Sequence, residues 1–452
     1  MTDLRAFLRL VQDKRKRDIV HVSRQVDPAF ETSAIVTKLA DQQRSPIFVF
    51  EDVKGCTLPL VTNVGGSMGR LAMALDCPLR DVGAKFEAAA RNPIPPVSVE
   101  DAPVHAHVRE GDDADLTWLP ALRYHADDAP QPYLTAALVV ARDLQTGVQN
   151  LSFHRMMVLD RRRTGIYMEP GRHLHGIFET YVAHGEAMPI AVIIGVHPAV
   201  ALGALYAGPA GVDEYDVIGG LLGQGLPVTT TAAGLQVPAG AEIVLEGTVD
   251  PTARTPEGPF GEFTGYGTGA ITTPVFTVDR ITHRDDPYFV DIVSGGLEHL
   301  LLSVPALEHR TRRDAAKAGP EVVDISLPAP LTAIVSIRKR DDEDPKRVID
   351  ALLSGDIYAK QVIVVDHDVD PGDLSAVMSA MALQCQPDRQ VHVLSGVRCT
   401  PLDPSCPSED GMGAKIGIDA TRALSPARAV TRNRIPAAVY DAVDVDEILG
   451  KR

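Results

Sequence analysis

The chain has 452 residues, of which 45 % are hydrophobic and 23 % are charged, and its formal net charge is −16. This length exceeds one ordinary hydrophobic core, so we expect two or three globular domains. The acidic balance argues against a nucleic-acid backbone or an anionic membrane as partner, because both carry negative charge. An anionic substrate would need local positive charge, from arginine or from a metal ion.

The cysteine pattern favours a cytoplasmic protein. The five cysteines are Cys56, Cys77, Cys385, Cys399 and Cys406. Their number is odd and no Cys-x-x-Cys occurs, which favours scattered reduced thiols over a disulfide framework or a zinc site. Residues 1–17 are charged and lack the apolar core of a signal peptide.

One apolar segment, residues 189–208, is long enough to cross a bilayer. His197 and Pro198 interrupt it, however, and no basic residues flank it. Its first part, Pro189 to Gly195, is typical of a buried β-strand that ends before a proline. We therefore expect no membrane association.

The N-terminal part of the chain alternates between helical and strand patterns. The predicted helices cover 4–14, 31–42, 70–75 and 81–91, and the predicted strands cover 47–51 and 60–63. This alternation indicates an α/β domain that ends near the proline-rich sequence 93–96.

From about residue 104, short β-rich runs separated by glycine and proline dominate. The predicted strands cover 134–140, 156–160, 191–196, 242–248 and 275–281, and two helices are predicted at 173–184 and 214–222. Many short strands with such turns indicate a barrel or a sandwich.

The α/β pattern returns after about residue 295. Helices are predicted at 306–318, 345–353 and 374–382, and strands at 331–337 and 361–365. The segment Asp366 to Asp370 holds three aspartates and a histidine, which is compatible with a metal site. A solvated turn after a buried strand is the favoured interpretation. No function is assigned to the residues after Thr421.

The most informative segment is Pro256 to Glu262, which reads Pro-Glu-Gly-Pro-Phe-Gly-Glu and carries Glu257 and Glu262. Proline fixes φ and glycine permits positive φ, so this segment is an irregular loop. Such a loop can hold two carboxyl groups close together, and their repulsion then raises the pKa of one of them. From the spacing alone, a surface turn with two solvated glutamates remains the commoner arrangement.

Together with Phe263 to Tyr266, this segment resembles the signature of the UbiD family of reversible decarboxylases, which use prenylated FMN. Three further patterns resemble that family: Asn150 to Arg155 (Asn-Leu-Ser-Phe-His-Arg), Val237 to Gly247, and Gly413 to Thr421. Four patterns in the family's order are more specific than any one of them. The resemblance extends over most of the chain, from about Asp3 to Thr421.

The resemblance implies an α/β plus β fold in three parts. These are an N-terminal α/β domain (1–103), a central split β-barrel that binds prenylated FMN (104–300), and a linker helix with a C-terminal α/β oligomerisation domain (301–452). Relatives form dimers or hexamers through the third part, so a homodimer or a homohexamer is expected.

The resemblance also implies a catalytic trio of Arg155, Glu257 and Glu262. A guanidinium stays charged and can hold a carboxylate with two hydrogen bonds. By resemblance, Glu262 transfers the proton, whereas Arg155 and Glu257 hold the network and keep the substrate carboxylate near the flavin.

A divalent metal, usually manganese, and a monovalent cation neutralise the flavin phosphate in this family. The implied ligands of Mn²⁺ (or Mg²⁺) are Asn150, His173 and Glu214, and K⁺ is the expected monovalent cation. An amide oxygen, an imidazole and a carboxylate suit such a hard ion. His173 is preferred over His175 because it matches a Pro-x-x-His-Leu pattern. The implied cofactor-binding residues are Asn150, Ser152, Arg155, Arg172, His173, Glu214 and Lys415.

Three residues are implied in the substrate pocket: His154, Phe263 and His299. For His299, an ordinary histidine at the start of a leucine-rich helix is an equally weighted alternative. The expected reaction is reversible, non-oxidative decarboxylation of an indole-, pyrrole-, furan- or hydroxybenzoic-type acid through a covalent adduct with prenylated FMN. The expected partners are this acid, carbon dioxide and a flavin prenyltransferase that supplies the cofactor.

Two other functions stay open at this point. A flavin-dependent oxidoreductase could use the same split barrel, because a fold does not fix the chemistry. A non-catalytic, flavin-binding assembly protein is the third possibility, against which the intact trio argues. A glycosidase with two carboxylates would lack sugar-binding aromatic platforms, since Trp118 is the chain's one tryptophan.

Overall fold

The computed structural model describes residues 1–208, 212–355, 358–406, 411–425, 433 and 435–449. Within these ranges the strands form three larger sheets, of four, nine and five strands, and two small ones. The order α/β, curled β-sheet, α/β along the chain confirms the predicted fold class.

The N-terminal layer packs short helices against a small sheet. Its elements are α1 (Leu4–Lys14), β1 (Ile19–Val22), α2 (Glu31–Ala40), β2 (Ile47–Phe50), β3 (Leu60–Thr62), α3 (Met68–Ala74) and α4 (Val82–Arg91). Asp3 caps α1 by accepting a hydrogen bond from the Ala6 amide at 2.7 Å. Leu4, Phe7 and Val11 recur at helical spacing and are fully buried on one face of α1.

The central part forms the nine-stranded sheet, which curls into a half-barrel. Its elements, with those of the two small sheets, are β4 (Val97–Ser98), β5 (His107–Glu110), β6 (Tyr133–Leu134), β7 (Leu138–Arg142), β8 (Gln149–Phe153), β9 (Met156–Val158), β10 (Arg163–Ile166), α5 (His173–His184), β11 (Met188–Ile194), α6 (Pro198–Gly203), α7 (Glu214–Leu222), β12 (Pro227–Thr230), β13 (Gln236–Pro238), β14 (Ile243–Glu257), β15 (Phe260–Gly261), β16 (Gly267–Thr268), β17 (Ile271–His283) and β18 (Phe289–Asp291).

The strand order of the curled sheet is β6-β9-β10-β17-β14-β11-β7-β8, and β5 also pairs with β17. The long antiparallel pair β14 and β17 ends with Glu257 opposite Ile271, so the loop between these residues lies at one end of the barrel. The last strand of this part, β18, leaves the barrel and pairs in parallel with β3. The N-terminal sheet is therefore completed by residues from the end of the central part.

The C-terminal part is a five-stranded sheet of order β19-β20-β21-β23-β22 with flanking helices. Its elements are α8 (Leu297–Ala316), β19 (Glu321–Ala329), β20 (Thr332–Arg338), α9 (Asp344–Gly355), β21 (Gln361–Asp366), α10 (Leu374–Gln384), α11 (Pro387–Gln390), β22 (Val391–Arg398), β23 (Met412–Ala420), α12 (Ala437–Tyr440) and α13 (Val445–Ile448). The linker helix α8 joins it to the barrel.

Two sequence expectations can be compared with these elements. The helix predicted from residue 306 begins at Leu297, and Pro305 lies inside it. Proline usually interrupts a helix, but here the Pro305 ring is buried with Leu302 and Ala306, and this packing favours the continuous helix.

Asp366 and Asp368 form a turn in which both side chains bind Arg422. This ion pairing fits the favoured interpretation of a turn.

The apolar segment 189–208 forms β11, α6 and the connections around them rather than one long helix. Among the described residues, no helix has the length and apolar character needed to cross a membrane. All five cysteines are free thiols.

Candidate active site

A cavity of about 640 Å³ lies between the barrel and the C-terminal part. The barrel contributes the end of β8, the start of α5 and the loop after β15 to its wall. The linker helix α8 forms one side, and Leu331, Tyr358 and Leu402 contribute from the C-terminal part. This volume is that of a cofactor or small-molecule site.

Arg155 brings the two predicted glutamates together at the wall of this cavity. It lies between β8 and β9, Glu257 ends β14, and Glu262 follows β15. The Arg155 Nε donates to Glu257 Oε1 at 3.0 Å and its Nη2 donates to Glu257 Oε2 at 2.9 Å. Its Nη1 donates to Glu262 Oε1. The structure therefore assembles the Arg-Glu-Glu trio, with Arg155 between the carboxylates.

Aromatic rings fix the plane of this guanidinium. The Arg155 Cζ lies 4.5 Å from the ring centroid of Tyr167 and 4.8 Å from that of Phe260. Such cation–π contacts are stronger where water is excluded. The side chain of Arg155 is 8 % exposed, and the guanidinium is therefore held in one position rather than solvated.

The two glutamates differ in their surroundings. Glu257 is fully buried and bound by two Arg155 nitrogens, whereas the Glu262 side chain is 12 % exposed and lines the cavity. Burial raises the pKa of Glu262 above its ordinary value, and this effect exceeds the opposing attraction of Arg155. The burial of Glu262 beside the cavity thus favours its protonated form.

Asn150 and Glu214 form a second polar cluster in the same cavity. The Asn150 Nδ2 donates to Glu214 Oε1 at 3.0 Å, and the Leu151 amide donates to Glu214 Oε2 at 2.9 Å. Burial raises the pKa of Glu214 to about 8. A buried carboxyl group with so high a pKa lacks a strong positive neighbour, and a bound cation would supply one.

The other predicted cofactor residues of the barrel lie beside this cluster. His173 begins α5 and Arg172 precedes it, and both line the cavity, as does Ser152. The Ser152 Oγ donates to Asn150 Oδ1 at 3.0 Å. The amide oxygen, imidazole and carboxyl group of Asn150, His173 and Glu214 thus share one cavity wall with two helix N-termini. This chemistry fits a divalent cation and a phosphate group.

Lys415 is the exception among the predicted cofactor residues. It lies on β23 in the C-terminal sheet and does not line the cavity. Its Nζ is buried and donates to the Leu353 carbonyl oxygen at 2.8 Å. In this conformation the Lys415 Nζ is directed towards the end of α9, and its expected contact with the cofactor phosphate stays a prediction.

The three predicted substrate-pocket residues all line the cavity. Phe263 and His299 meet edge to face, with ring centroids 5.8 Å apart. Burial lowers the pKa of His299 and of His154 to about 4, so both imidazoles are neutral at pH 7. The Gly295 amide donates to His299 Nδ1 at 3.3 Å, which leaves the hydrogen of the neutral ring on Nε2.

Sequence reasoning missed several residues that complete the site. Tyr167 and Phe260 enclose Arg155, and Tyr358 reaches across the cavity to Glu169, with 2.9 Å between its hydroxyl oxygen and each carboxylate oxygen. Phe260 lies inside the Pro256 to Glu262 segment and could have been found there. Tyr167, Glu169 and Tyr358 carry no local pattern that would indicate a site.

Comparison with protein-family models places almost the whole chain in one family. Three models match in order, all described as parts of 3-octaprenyl-4-hydroxybenzoate carboxy-lyase, UbiD. The N-terminal domain model matches residues 11–89, the Rift-related domain model matches 96–297 and the C-terminal domain model matches 306–420.

Solved structures and a curated relative agree with this result. The UbiD-class enzyme HmfF of Pelotomaculum thermopropionicum, solved in complex with FMN, is 36 % identical, with a TM-score of 0.89 over 98 % of this chain and 99 % of that one. The vanillic acid decarboxylase of Sedimentibacter hydroxybenzoicus, in closed form, is 30 % identical, with a TM-score of 0.89 over 100 % and 98 %. The anhydromevalonate phosphate decarboxylase of Methanothermobacter thermautotrophicus is 32 % identical over 93 % of this chain and 98 % of its own length.

Three consecutive family matches thus agree with relatives that align over nearly their full length and with solved structures of the same fold. The chain belongs to the UbiD family and is a carboxy-lyase of that class.

Proposed function

We propose that this protein catalyses the reversible, non-oxidative decarboxylation of an aromatic or heteroaromatic carboxylic acid, with prenylated FMN as its cofactor and Glu262 as the proton donor. The observation that carries the proposal is the contact of Arg155 with both Glu257 and Glu262 at the wall of a cavity large enough for a flavin. A relative solved with FMN, and an evolved form of it solved with prFMN, support the choice of cofactor.

Asn150, His173 and Glu214 would hold a Mn²⁺ or Mg²⁺ ion, which would supply positive charge to offset the cofactor phosphate. Their donor atoms suit a hard cation, and the raised pKa of the buried Glu214 indicates that this carboxyl group gains from a positive partner. Ser152 and Arg172 would bind the cofactor beside them, and K⁺ would supply further charge. Bound prenylated FMN would provide the electron sink that loss of carbon dioxide requires.

The residues of the trio have different roles in the proposed reaction. Burial raises the pKa of Glu262 and so favours its protonated form, from which it would deliver a proton to the carbon that loses carbon dioxide. Arg155 stays cationic, since Glu257 and Glu262 offset the effect of burial and raise its pKa. It therefore keeps Glu262 in place and can bind the substrate carboxylate as it enters.

The pocket residues favour a ring-shaped acid. Phe263 and His299 present an edge-to-face aromatic pair against which a planar ring can pack. The Nε2 hydrogen of neutral His299 can bond to a ring heteroatom or a hydroxyl group.

The name of the Methanothermobacter relative indicates a phosphorylated, non-aromatic acid as a second substrate class. The four arginines Arg155, Arg172, Arg310 and Arg313 at the cavity justify testing it.

Direct assay tests the proposal. The protein would be produced together with a flavin prenyltransferase and supplied with indole-3-carboxylate, pyrrole-2-carboxylate, furoate, hydroxybenzoates and a phosphorylated enoic acid. We expect carbon dioxide release from one of the aromatic acids. Glu262→Gln should reduce kcat by roughly 10²- to 10⁴-fold while the flavin stays bound.

Glu110→Gln is the matched control, because Glu110 is an exposed barrel carboxylate that pairs with Arg280. Full activity of Glu262→Gln would rule out the proton-donor role. Turnover of the phosphorylated acid alone would rule out the aromatic substrate, and oxidation of NAD(P)H without carbon dioxide release would favour an oxidoreductase.

We also propose that the protein is cytoplasmic and assembles as a homodimer or homohexamer through its C-terminal domain. Large apolar side chains are exposed there, namely Leu374, Met378 and Leu383 on α10 and Val393 on the edge strand β22. An exposed apolar patch beside a sheet edge is typical of an interface. Light scattering of the purified protein would measure the mass, and Met378→Asp together with Leu383→Asp should produce monomers.

A further inference from the structure

The loop that carries Glu262 is fastened to a separate loop of the barrel. The Gly261 amide donates to Asp128 Oδ1 at 2.7 Å, and the Ala129 amide donates to the Pro259 carbonyl oxygen at 2.8 Å. The Gly261 carbonyl oxygen accepts a hydrogen bond from Ser294 Oγ. Both peptide groups of the residue that precedes Glu262 are therefore fixed by partners far away in the sequence.

Asp128 is itself held in position by His125. The backbone amide of His125 donates to Asp128 Oδ2 at 2.9 Å and its Nδ1 donates to the same oxygen at 3.1 Å. One carboxylate oxygen of Asp128 thus accepts hydrogen bonds from His125, and the other accepts a hydrogen bond from Gly261. The Asp128 side chain is only 3 % exposed. Burial would raise its pKa, but the bonds from His125 and Gly261 lower it below the ordinary value, so Asp128 stays ionised.

Close packing provides an independent sign that this contact is specific. A Cβ atom on Gly261 would lie 2.4 Å from His125 Nδ1, which is well inside van der Waals contact. The φ of Gly261 is not positive, so its backbone conformation does not itself require glycine. Glycine is favoured at position 261 because a side chain there would clash with His125. The imidazole of His125 therefore packs closely against the backbone that precedes Glu262.

We propose that Asp128 and His125 are positioning residues for proton transfer by Glu262. Neither needs to touch the substrate: they fix the Gly261 peptide, and this sets the position from which the Glu262 side chain reaches both Arg155 and the cavity. The inference rests on the proposed role of Glu262. A displacement of about 1 Å at a reacting group can reduce the rate about 10²-fold, so a loop anchor of this kind would control kcat.

Backbone hydrogen exchange tests the anchor without any substrate. In Asp128→Ala the Gly261 amide loses an ionic hydrogen-bond acceptor, and the amides of residues 258–266 around it should exchange about tenfold faster or more. Asp250→Ala is the matched control, because Asp250 also accepts amide hydrogen bonds, from Thr252 and Ala253, but in an exposed turn away from the cavity. Unchanged exchange in 258–266 of Asp128→Ala would overturn the inference.

Kinetics then separate positioning from general loss of structure. With whichever acid the wild-type protein decarboxylates, Asp128→Ala should lower kcat roughly 10- to 100-fold, leave KM and flavin content within about twofold, and raise the solvent deuterium isotope effect. Asp128→Asn keeps one carbonyl oxygen for Gly261 and should recover part of kcat. A wild-type kcat in Asp128→Ala would overturn the inference, even when Glu262→Gln is inactive.

A double-mutant cycle covers the case in which Asp128→Ala does not fold. Gly261→Ala should lower kcat because the new methyl group meets His125, and the same substitution in a His125→Ala background should cost at least several-fold less. Equal losses in the two backgrounds would show that the His125 contact with Gly261 does not position Glu262. If Glu262→Gln itself keeps full activity, the proposed function fails instead, and the exchange experiment still reports on the anchor.

Discussion

Tyr358 of the C-terminal domain donates its hydroxyl hydrogen to Glu169 of the barrel, with 2.9 Å from the phenol oxygen to each carboxylate oxygen. The same carboxylate accepts a hydrogen bond from Arg172 Nε at 3.0 Å, and the Arg172 guanidinium lies 5.3 Å from the Tyr358 ring centroid. This contact crosses the cavity and lies next to His173. It therefore joins the two sides of the cavity.

We expect Tyr358→Phe to weaken this contact between the two sides of the cavity. Loss of a hydrogen bond to a carboxylate corresponds to about 1.5–3 kcal/mol, which is enough to let the two sides separate more often. The radius of gyration from small-angle scattering should increase and kcat/KM should fall. Tyr181→Phe is the control, since that hydroxyl bonds to the Arg142 carbonyl oxygen inside the barrel. An unchanged radius and unchanged kcat/KM in Tyr358→Phe would contradict the role of this contact.

Arg155→Lys should be nearly inactive although it preserves the charge. A lysine cannot donate two parallel hydrogen bonds to Glu257 while a third reaches Glu262, and its ammonium group cannot lie flat between Tyr167 and Phe260. We expect kcat to fall roughly 100-fold. Arg280→Lys, in a more exposed pair with Glu110, should retain activity. Circular dichroism would verify folding, and activity near that of the wild type would argue against bidentate binding.

Glu214→Gln should abolish stabilisation by metal and flavin. A ligand present at 100 times its dissociation constant stabilises the folded state by about 2.7 kcal/mol. We therefore expect MnCl₂ with FMN to raise the Tm of the wild-type protein clearly and that of Glu214→Gln little. Glu246→Gln serves as the control, because Glu246 is a buried barrel carboxylate that accepts from the Ala232 amide away from the cavity. An equal increase of Tm in Glu214→Gln would exclude it as a ligand.

Glu298 should make folding stability depend on pH. This carboxyl group at the start of α8 accepts a hydrogen bond from the Gly65 amide at 2.6 Å, and burial raises its pKa from 4.5 to about 7. Between about pH 4.5 and pH 7 the folded protein therefore keeps a proton on Glu298 that the unfolded chain has released. The stability associated with this proton is fully present below about pH 4.5 and is lost as the pH rises to about 7.

The corresponding free energy is at most ~3 kcal/mol. Glu298→Gln keeps an acceptor for Gly65 and cannot ionise, so its unfolding midpoint in urea should decline less between pH 5 and pH 8 than that of the wild type. Glu100→Gln, at an exposed carboxylate, is the control for charge. Parallel pH profiles for Glu298→Gln and the wild type would assign the dependence to another group.

The local elements were largely accessible from the sequence. The helices α1, α5 and α7 begin and end at the residues predicted from the sequence. The start of α8 could not be predicted from the sequence, because proline at position 305 normally ends a helix. Only the burial of its ring against neighbouring residues shows that the helix continues. Boundaries that depend on packing are not encoded in the nearest residues.

The sequence by itself predicted the trio of Arg155, Glu257 and Glu262, because these residues lie in short patterns, and the structure brings the three side chains into contact. Only the tertiary structure decided which distant residues meet around the trio and its cavity: Asp128 lies 133 positions from Gly261, and Tyr358 lies 189 positions from Glu169. It also placed Lys415 on a buried strand instead of at the cavity. Contacts between distant segments depend on how whole sheets pack, and no local pattern of residues specifies that packing.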